Sequence, residues 1–129
     1  LGFSAKDRQE NVRRVGEVCS LFATANVIVL AAFISPFRAG RDAIREKMQP
    51  KSFLEIHVST SLENCQSRDP KGLYKRALAG EISDFTGISS PYEAPLNPEL
   101  RLDTAGKSLD ACVREVVALL QAYKISSIE

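Results

Sequence analysis

One apolar segment constrains the fold of this chain more than any other part of its sequence. It runs from Asn26 to Ser35, is rich in β-branched residues and is followed at once by Pro36. Such a run predicts a strand that is buried on both faces of a parallel sheet. It is too short to cross a bilayer as a helix, which needs about 20 apolar residues.

Helical and strand patterns alternate along the rest of the chain. Ser4 and Asp7 form a helix-capping pattern ahead of apolar residues that recur at helical spacing to about Ala25. Further helices are predicted at 38–48, 61–68 and 71–78, and alternating side chains predict strands at 53–59 and 99–103. Strands that alternate with helices imply βαβ units, so the expected fold class is α/β with a parallel sheet.

The last part of the chain combines a long irregular segment with a final helix. Residues 80–98 are rich in glycine and proline, which predicts an irregular connection, and connections of this length are often functional lids. A helix that starts at Ser108 follows a short strand. Its predicted buried stripe consists of Leu109, Val113, Val116, Val117 and Leu120.

Charge and composition exclude several classes of function. The formal net charge is +1, whereas a general nucleic-acid surface needs a clear excess of Lys and Arg. Three dispersed cysteines without a C-x-x-C pair signal neither a disulfide framework nor a zinc site. The only histidine, His57, falls within a predicted strand, and no glycine-rich phosphate loop is present in the sequence.

Arginines are nevertheless concentrated around the predicted buried strand. Arg8, Asn11 and Arg14 are spaced along one side of the first helix and could face either solvent or a ligand. Arg38, Arg41 and Arg45 follow that strand, and each could serve a phosphate site or a solvated helix face. Because ligands of open parallel sheets bind beyond the carboxyl ends of the strands, Ile34 and Ser35 are the first candidates for contact.

Several motifs resemble those of the adenylylsulfate kinase family. They are Leu1-Gly-Phe-Ser4 with Asp7-Arg8 and Glu10-Asn11, Phe33-Ile-Ser-Pro36, Arg68-Asp-Pro-Lys-Gly-Leu-Tyr74, Phe85-Thr-Gly-Ile88 and Tyr92-Glu-Ala-Pro95. They follow the order and spacing of that family across nearly the whole chain. The resemblance implies a P-loop kinase-type, three-layer α/β/α fold. It also implies transfer of the γ-phosphoryl group of ATP, with Mg²⁺, to the 3′-hydroxyl of adenosine 5′-phosphosulfate in sulfate assimilation.

The resemblance also implies roles for particular residues. Phe3 would stack on the substrate adenine, Arg8 and Asn11 would hold its phosphosulfate and base, and Ile34 and Ser35 would touch the same substrate. Ser35 is regarded in bacterial members as a phosphorylated intermediate, although direct in-line transfer needs no covalent serine. We therefore treat Ser35 first as a substrate contact.

Further roles fall on the second half of the chain. Lys71 would approach the transferring phosphate or the substrate from a lid at about 71–98, and Asp84 and Phe85 would close over the substrate. The residues expected beside the ATP base are Arg68, Thr104, Ala105, Gly106 and Lys107. The resemblance assigns no metal ligand to this chain.

Complete members of the family carry a first strand, the phosphate loop and a DGDN-R segment upstream of the LGFS motif. Because the chain opens at Leu1 without these parts, we expect residues 1–129 to be the C-terminal portion of one kinase domain and a poor enzyme alone. A non-catalytic module that keeps Phe3, Arg8, Asn11 and Ser35 is one alternative. Another is the C-terminal end of a protein fused to a sulfate adenylyltransferase. The expected setting is a cytoplasmic homodimer that binds adenosine 5′-phosphosulfate and ATP, but no nucleic acid or membrane.

Overall fold

The computed structural model describes residues 2–125. Their helices and strands are α1 (Ala5–Thr24), α2 (Arg38–Lys47), β1 (Ile56–Val58), α3 (Leu62–Arg68), α4 (Leu73–Leu78), β2 (Leu100–Leu102) and α5 (Leu109–Ala122). The chain divides into two compact units. Within the described residues, the helical unit contains 2–53 together with 77–94, and the sheet unit contains 54–76 and 95–125.

Serine caps fix the starts of three helices. The Ser4 hydroxyl accepts a hydrogen bond (3.2 Å) from the amide of Asp7, the third residue of α1. Ser61 and Ser108 cap α3 and α5 in the same way. Each cap satisfies an amide that the helix leaves unpaired and contributes about 1 kcal/mol. The helices predicted to begin at these serines are confirmed.

The helical unit is built on the contact between α1 and α2. Val12 and Gly16 are the buried residues of α1, and Gly16 lies against Ile44 of α2. A Cβ atom at position 16 would be only 2.6 Å from Ile44 Cγ1, so the two helices approach closely because this residue is glycine. An ion pair between Lys47 and Glu17 joins the same two helices at their surface.

The segment from Asn26 to Ser35 is not a strand in this structure, and its predicted burial is wrong. Its apolar side chains are largely exposed, and Leu30 is 83% exposed. A strand is held by hydrogen bonds to a neighbouring strand. Among the described residues, the only strands are β1 and β2, which pair with each other, so this segment has no strand beside it.

The sheet unit contains the parallel pair that the alternating patterns predict. Ile56 of β1 is opposite Leu100 of β2, and Val58 is opposite Leu102. Helix α5 contacts β2, and the buried side chains of this pair are Leu102 and Cys112. The two strands are shorter than predicted, but their existence, their parallel pairing and the position of His57 on β1 are confirmed.

The predicted buried stripe of α5 is only partly correct. Val116, Val117 and Leu120 are half-buried, whereas Leu109 is 79% exposed and Val113 is also exposed. A two-stranded sheet covers only part of a helix of this length, which explains why the first turn of α5 remains uncovered.

Residues 80–98 form the irregular connection that their composition predicts, with one isolated bridge between Thr86 and Ser90.

The three cysteines are free thiols; Cys112 is buried, and Cys19 and Cys65 are half-buried. Within residues 2–125, no helix combines the length and apolar character that crossing a membrane requires.

Candidate functional site

A cavity of about 630 Å³ opens in the helical unit between the start of α1 and the segment that precedes α2. The predicted substrate contacts Phe3, Arg8, Asn11, Ile34 and Ser35 all line it. Phe3 is 73% exposed at this cavity, so its ring is free to stack on a flat ligand. The structure thus brings Phe3, Arg8 and Asn11 together with Ile34 and Ser35, although 22 residues separate Asn11 from Ile34 along the chain.

Helix α1 supplies the polar wall of the cavity. Arg8, Asn11 and Arg14 follow one another at intervals of three residues, which places them along one side of the helix. All three line the cavity, so the ligand-facing alternative for this side of α1 fits the structure. The helical spacing places Arg14 on this side of α1, although the family resemblance assigns it no contact with the substrate.

Arg8 connects the cavity to the irregular segment 80–98. Its Nε donates a hydrogen bond to the carbonyl of Phe3, and its Nη2 donates to the carbonyl of Asp84, each over 2.8 Å. Its guanidinium carbon is 5.6 Å from the centre of the Phe3 ring. Because a guanidinium carries five N–H donors, these two bonds leave donors for an anionic ligand.

The backbone is strained at two predicted substrate contacts. Ser35 has a φ angle of +42° and Asp84 has a φ angle of +53°, in a region that residues with a side chain seldom adopt. Such conformations persist where surrounding contacts hold them and are concentrated at functional sites. The carbonyls of both residues accept hydrogen bonds from arginines, Arg41 at Ser35 and Arg8 at Asp84.

Phe85 follows Asp84 in a compact turn. The Phe85 amide donates to the hydroxyl of Ser89 (3.0 Å), and the Phe85 carbonyl accepts the amides of Ser89 and Ser90. The predicted substrate contact Phe85 is therefore held by its own loop and directly follows a residue that Arg8 binds.

Arg14 shares the Glu10 carboxylate with Arg13, so the three side chains together keep one net positive charge. Arg14 Nε donates to Glu10 Oε1 (2.7 Å), and Arg13 donates to both carboxylate oxygens of the same residue (2.8 and 2.9 Å). The hydrogen bonds from Arg13 and then Arg14 lower the pKa of Glu10 from 4.5 to about 2. Glu10 thereby holds the guanidinium of Arg14, which lines the cavity, at its Nε atom.

We expect the Glu10 carboxyl to titrate with a pKa of about 2 in an NMR titration, and the Arg13→Gln variant to raise this pKa toward 4.5. Because the folded-state pKa lies below the unfolded value, the contribution of Glu10 to stability is complete above pH 4.5 and is lost as the pH falls through about 2. Lys75→Gln, which removes one positive charge from the other unit, is the control. A Glu10 midpoint near 4.5 in the unaltered protein would contradict this prediction.

The residues predicted beside the ATP base lie in the sheet unit, and two of them are in direct contact. Arg68 donates through Nη1 to the Thr104 hydroxyl (2.7 Å) and through Nη2 to the Thr104 carbonyl (2.8 Å). The Thr104 hydroxyl also shares a hydrogen bond with Thr60 (2.7 Å). Arg68 thus ties the end of α3 to the turn that follows β2.

The remaining residues of that turn have defined partners or open space. The Ala105 amide donates to Asp103 Oδ1, and Lys107 donates to Glu115 of α5 (2.6 Å). The hydrogen bond with Glu115 raises the pKa of Lys107. Gly106 has a φ angle of +68°, with open space where a side chain would be, so the turn could accommodate a flat group close to its backbone.

Lys71 is exposed, on the turn that precedes α4. The Asp69 carboxylate accepts the amides of Tyr74 and Lys75 at the start of that helix, and these bonds lower its pKa, chiefly the one from Lys75. Lys71 belongs to the sheet unit, whereas the cavity belongs to the helical unit.

None of the three arginines that follow the 26–35 segment lines the cavity. Arg38 donates to the carbonyl of Ala94, Arg41 donates to the carbonyls of Ser35 and Glu93, and Arg45 stacks over the Phe53 ring at 4.9 Å. Their side chains are engaged with the protein itself. Sequence spacing does not reveal which carbonyls an arginine meets, so the spacing of these arginines left both a phosphate site and a solvated helix face open.

Comparisons with known proteins agree with one another. The sequence model of the family described as adenylylsulphate kinase matches residues 1–103. The adenylyl-sulfate kinase of Marinobacter nauticus is 57% identical over 97% of this chain and 63% of its own length. That of Prochlorococcus marinus is 57% identical over 93% of this chain and 60% of its own length. The chain therefore spans about three fifths of these relatives.

The same family appears among solved structures. The APS kinase of Mycobacterium tuberculosis, in complex with AMPPNP and APS, superposes with a TM-score of 0.85. It is 44% identical, and the match covers 94% of this chain and 70% of that one.

Proposed function

This chain belongs to the adenylylsulfate kinase family, and we propose that the whole protein transfers the γ-phosphoryl group of ATP to the 3′-hydroxyl of adenosine 5′-phosphosulfate. The predicted α/β fold with a parallel sheet is that of the P-loop kinases. One observation carries the proposal more than any other. Five residues that the family resemblance assigns to this substrate line a single cavity.

The chemistry of that cavity suits the proposed substrate. An adenine needs a flat apolar surface, and the exposed Phe3 ring offers one. A phosphosulfate needs positive charge and N–H donors, which Arg8 and Arg14 supply. Asn11 lies between these arginines in sequence and can both donate and accept hydrogen bonds, so it suits the polar edge of a base or a ribose.

Phosphoryl transfer requires little covalent work from the protein, because its transition state is stabilised mainly by positioning and by neutralisation of charge. In the proposed reaction the 3′-hydroxyl oxygen bonds to the γ-phosphorus and releases its proton to water, the bond from the γ-phosphorus to the β-phosphate oxygen breaks, and ADP leaves. Ser35 then acts as a contact that helps to position the acceptor rather than as a phosphorylated intermediate. Lys71 is proposed to place positive charge beside the group in transfer, and Asp84 and Phe85 to cover the acceptor.

ATP is proposed to bind with its base against Arg68 and the residues from Thr104 to Lys107. The stacking face of the Arg68 guanidinium and the open Gly106 backbone support this assignment. Among residues 2–125, no three His, Cys, Asp or Glu side chains cluster as metal ligands. Mg²⁺ usually binds to substrate phosphates with one or two carboxylates and water, so we propose that it arrives with ATP.

The setting of the enzyme is proposed on the same family basis. We propose that residues 1–129 belong to one kinase domain with its lid at about 71–98, and that the protein acts in the cytoplasm. Its three free cysteines suit a reducing compartment. A homodimer and a fusion with a sulfate adenylyltransferase are further proposals for the whole protein.

The proposed function is tested by incubating the whole protein with γ-labelled ATP, Mg²⁺ and adenosine 5′-phosphosulfate. We expect one labelled 3′-phosphoadenosine 5′-phosphosulfate for each ADP, with adenosine 5′-monophosphate as a much poorer acceptor because it lacks the sulfate. ATP without acceptor serves as the control for hydrolysis. Binding of adenosine 5′-phosphosulfate without any transfer would contradict the kinase proposal and favour the non-catalytic module.

A further inference from the structure

Arg41 is an unusual residue of the helical unit. It is only 8% exposed, and among the described residues it is the one buried residue with a polar or charged side chain. Burying a charge is unfavourable unless hydrogen bonds replace the lost water. The partners of its guanidinium therefore indicate what this arginine does.

The guanidinium of Arg41 joins two separate stretches of backbone. Its Nη1 donates to the carbonyl of Ser35 (2.5 Å), and its Nη2 donates to the carbonyl of Glu93 (2.6 Å). The guanidinium carbon is also 5.8 Å from the centre of the Tyr92 ring. A planar fork with parallel donors is suited to holding two carbonyls at once, which the single ammonium of a lysine does less well.

Other contacts strengthen the same junction. The Glu93 amide donates to the carbonyl of Pro36 (2.8 Å), and Glu93 Oε2 accepts the amide of Arg38 at the start of α2 (2.7 Å). Arg38 Nε in turn donates to the carbonyl of Ala94 (3.2 Å). We call this set of contacts between 35–41 and 92–94 the Arg41 clasp.

The clasp acts on the cavity through Ser35. This residue lines the cavity with a φ angle of +42°, which a residue with a side chain rarely adopts unless its surroundings hold it there. A bond to the Ser35 carbonyl fixes the orientation of the peptide plane between Ser35 and Pro36. That plane adjoins the Cα atom of Ser35, so fixing it restricts the backbone torsions that direct the Ser35 side chain in the cavity wall.

We propose that Arg41 is a positioning residue for the acceptor site, because its buried guanidinium holds Ser35 in its left-handed conformation and fastens the irregular segment 80–98 at Glu93. Arg41 itself does not line the cavity. The effect on substrate binding rests on the proposed function, whereas the effect on the backbone of Ser35 does not.

The test compares Arg41→Ala and Arg41→Lys with Arg45→Ala in the whole protein. Arg45 is one turn further along α2 and stacks over Phe53, so it controls for loss of a charge from the same helix. We expect Arg41→Ala to raise the KM for adenosine 5′-phosphosulfate by about tenfold or more, the effect of losing a charge-assisted hydrogen bond. Arg41→Lys should give a smaller increase, and the KM for ATP should change by less than about twofold in all three variants, within the usual scatter of surface substitutions.

Hydrogen exchange in the free proteins provides a readout that does not depend on catalysis. The amides near Ser35 and Glu93 should exchange faster in Arg41→Ala and Arg41→Lys than in Arg45→Ala. Unchanged exchange at these amides in both variants at position 41 would overturn the proposal. A parallel rise in both KM values would also overturn it, because that result would indicate a general loss of structure. Wild-type protein that fails to phosphorylate the substrate would refute the proposed function, and the exchange experiment would still decide whether Arg41 holds Ser35.

Discussion

Replacing Arg8 with alanine should weaken binding of adenosine 5′-phosphosulfate to the whole protein by about 10- to 100-fold and leave ATP binding nearly unchanged. A charge-assisted hydrogen bond is worth about 1.5–3 kcal/mol, and each 1.4 kcal/mol changes an equilibrium tenfold. Arg8 lines the cavity and also binds the carbonyls of Phe3 and Asp84. Its loss would therefore remove positive charge and loosen the supports of Phe3 and Asp84, two residues that we propose contact the substrate.

Calorimetric titration with adenosine 5′-phosphosulfate and separately with Mg²⁺–ATP measures both effects. Arg13→Ala is the matched control, because Arg13 is on the same helix but binds Glu10 and does not line the cavity. Arg8→Lys should be intermediate, since it retains the charge but not the planar fork. Equal losses of affinity for the two nucleotides in Arg8→Ala would contradict the assignment of this arginine to the acceptor.

Local chemistry made the helix starts predictable from the sequence. Ser4, Ser61 and Ser108 each precede a helix and bond an amide three residues later, an interaction that needs no distant partner. The side of α1 that faces the cavity was also visible, because Arg8, Asn11 and Arg14 share one face by spacing alone. The order of the family motifs further predicted which of these residues would contact a substrate.

Non-local pairing limited the predictions for strands. An apolar run identifies a segment that can be a buried strand, but the hydrogen bonds that make it one come from another part of the chain. Residues 56–58 and 100–102 find each other and form a sheet, whereas the apolar segment after Asn26 finds no strand among the described residues. The exposed Leu109 has the same origin, since burial of a helix face depends on the extent of the sheet beside it.

The proposed role of Arg41 could not be predicted from the sequence for a related reason. In the sequence it belongs to a row of arginines that resembles a phosphate site, together with Arg38 and Arg45. Its partners are backbone carbonyls, and one of them, at Glu93, is 52 residues away. Side-chain type and spacing carry no information about such carbonyls, so only the folded structure separates a positioning arginine from one that binds ligand.

The contact between α1 and α2 gives the second large expected effect. Gly16→Ala should lower the free energy of unfolding by about 2 kcal/mol, within the range for overpacking a core. The new Cβ would lie 2.6 Å from Ile44 Cγ1 and 2.9 Å from Ile44 Cδ1, so either Ile44 or the helices must move. Ile44 has little freedom to adjust, because a β-branched side chain in a helix has one strongly preferred rotamer. The expected loss of about 2 kcal/mol is a net value: an overpacking cost of about 3 kcal/mol is partly offset by the roughly 1 kcal/mol that alanine normally gains over glycine inside a helix.

Urea unfolding of Gly16→Ala, Gly40→Ala, Ile44→Ala and the double variant Gly16→Ala/Ile44→Ala would measure this effect. Gly40→Ala makes the same chemical change within α2, but its Cβ would lie 3.4 Å from Val12 Cγ1, so we expect a neutral or slightly stabilising result. In a background that already carries Ile44→Ala, Gly16→Ala should cost nothing, because the atoms it would meet are gone. Stabilisation by Gly16→Ala equal to that by Gly40→Ala would show that α1 and α2 do not approach as closely as the structure places them. The same packing borders the cavity, since Val12 of α1 lines it and lies beside Gly40 of α2. Loss of the close approach at Gly16 should therefore also weaken binding of the proposed acceptor, adenosine 5′-phosphosulfate, in the whole protein.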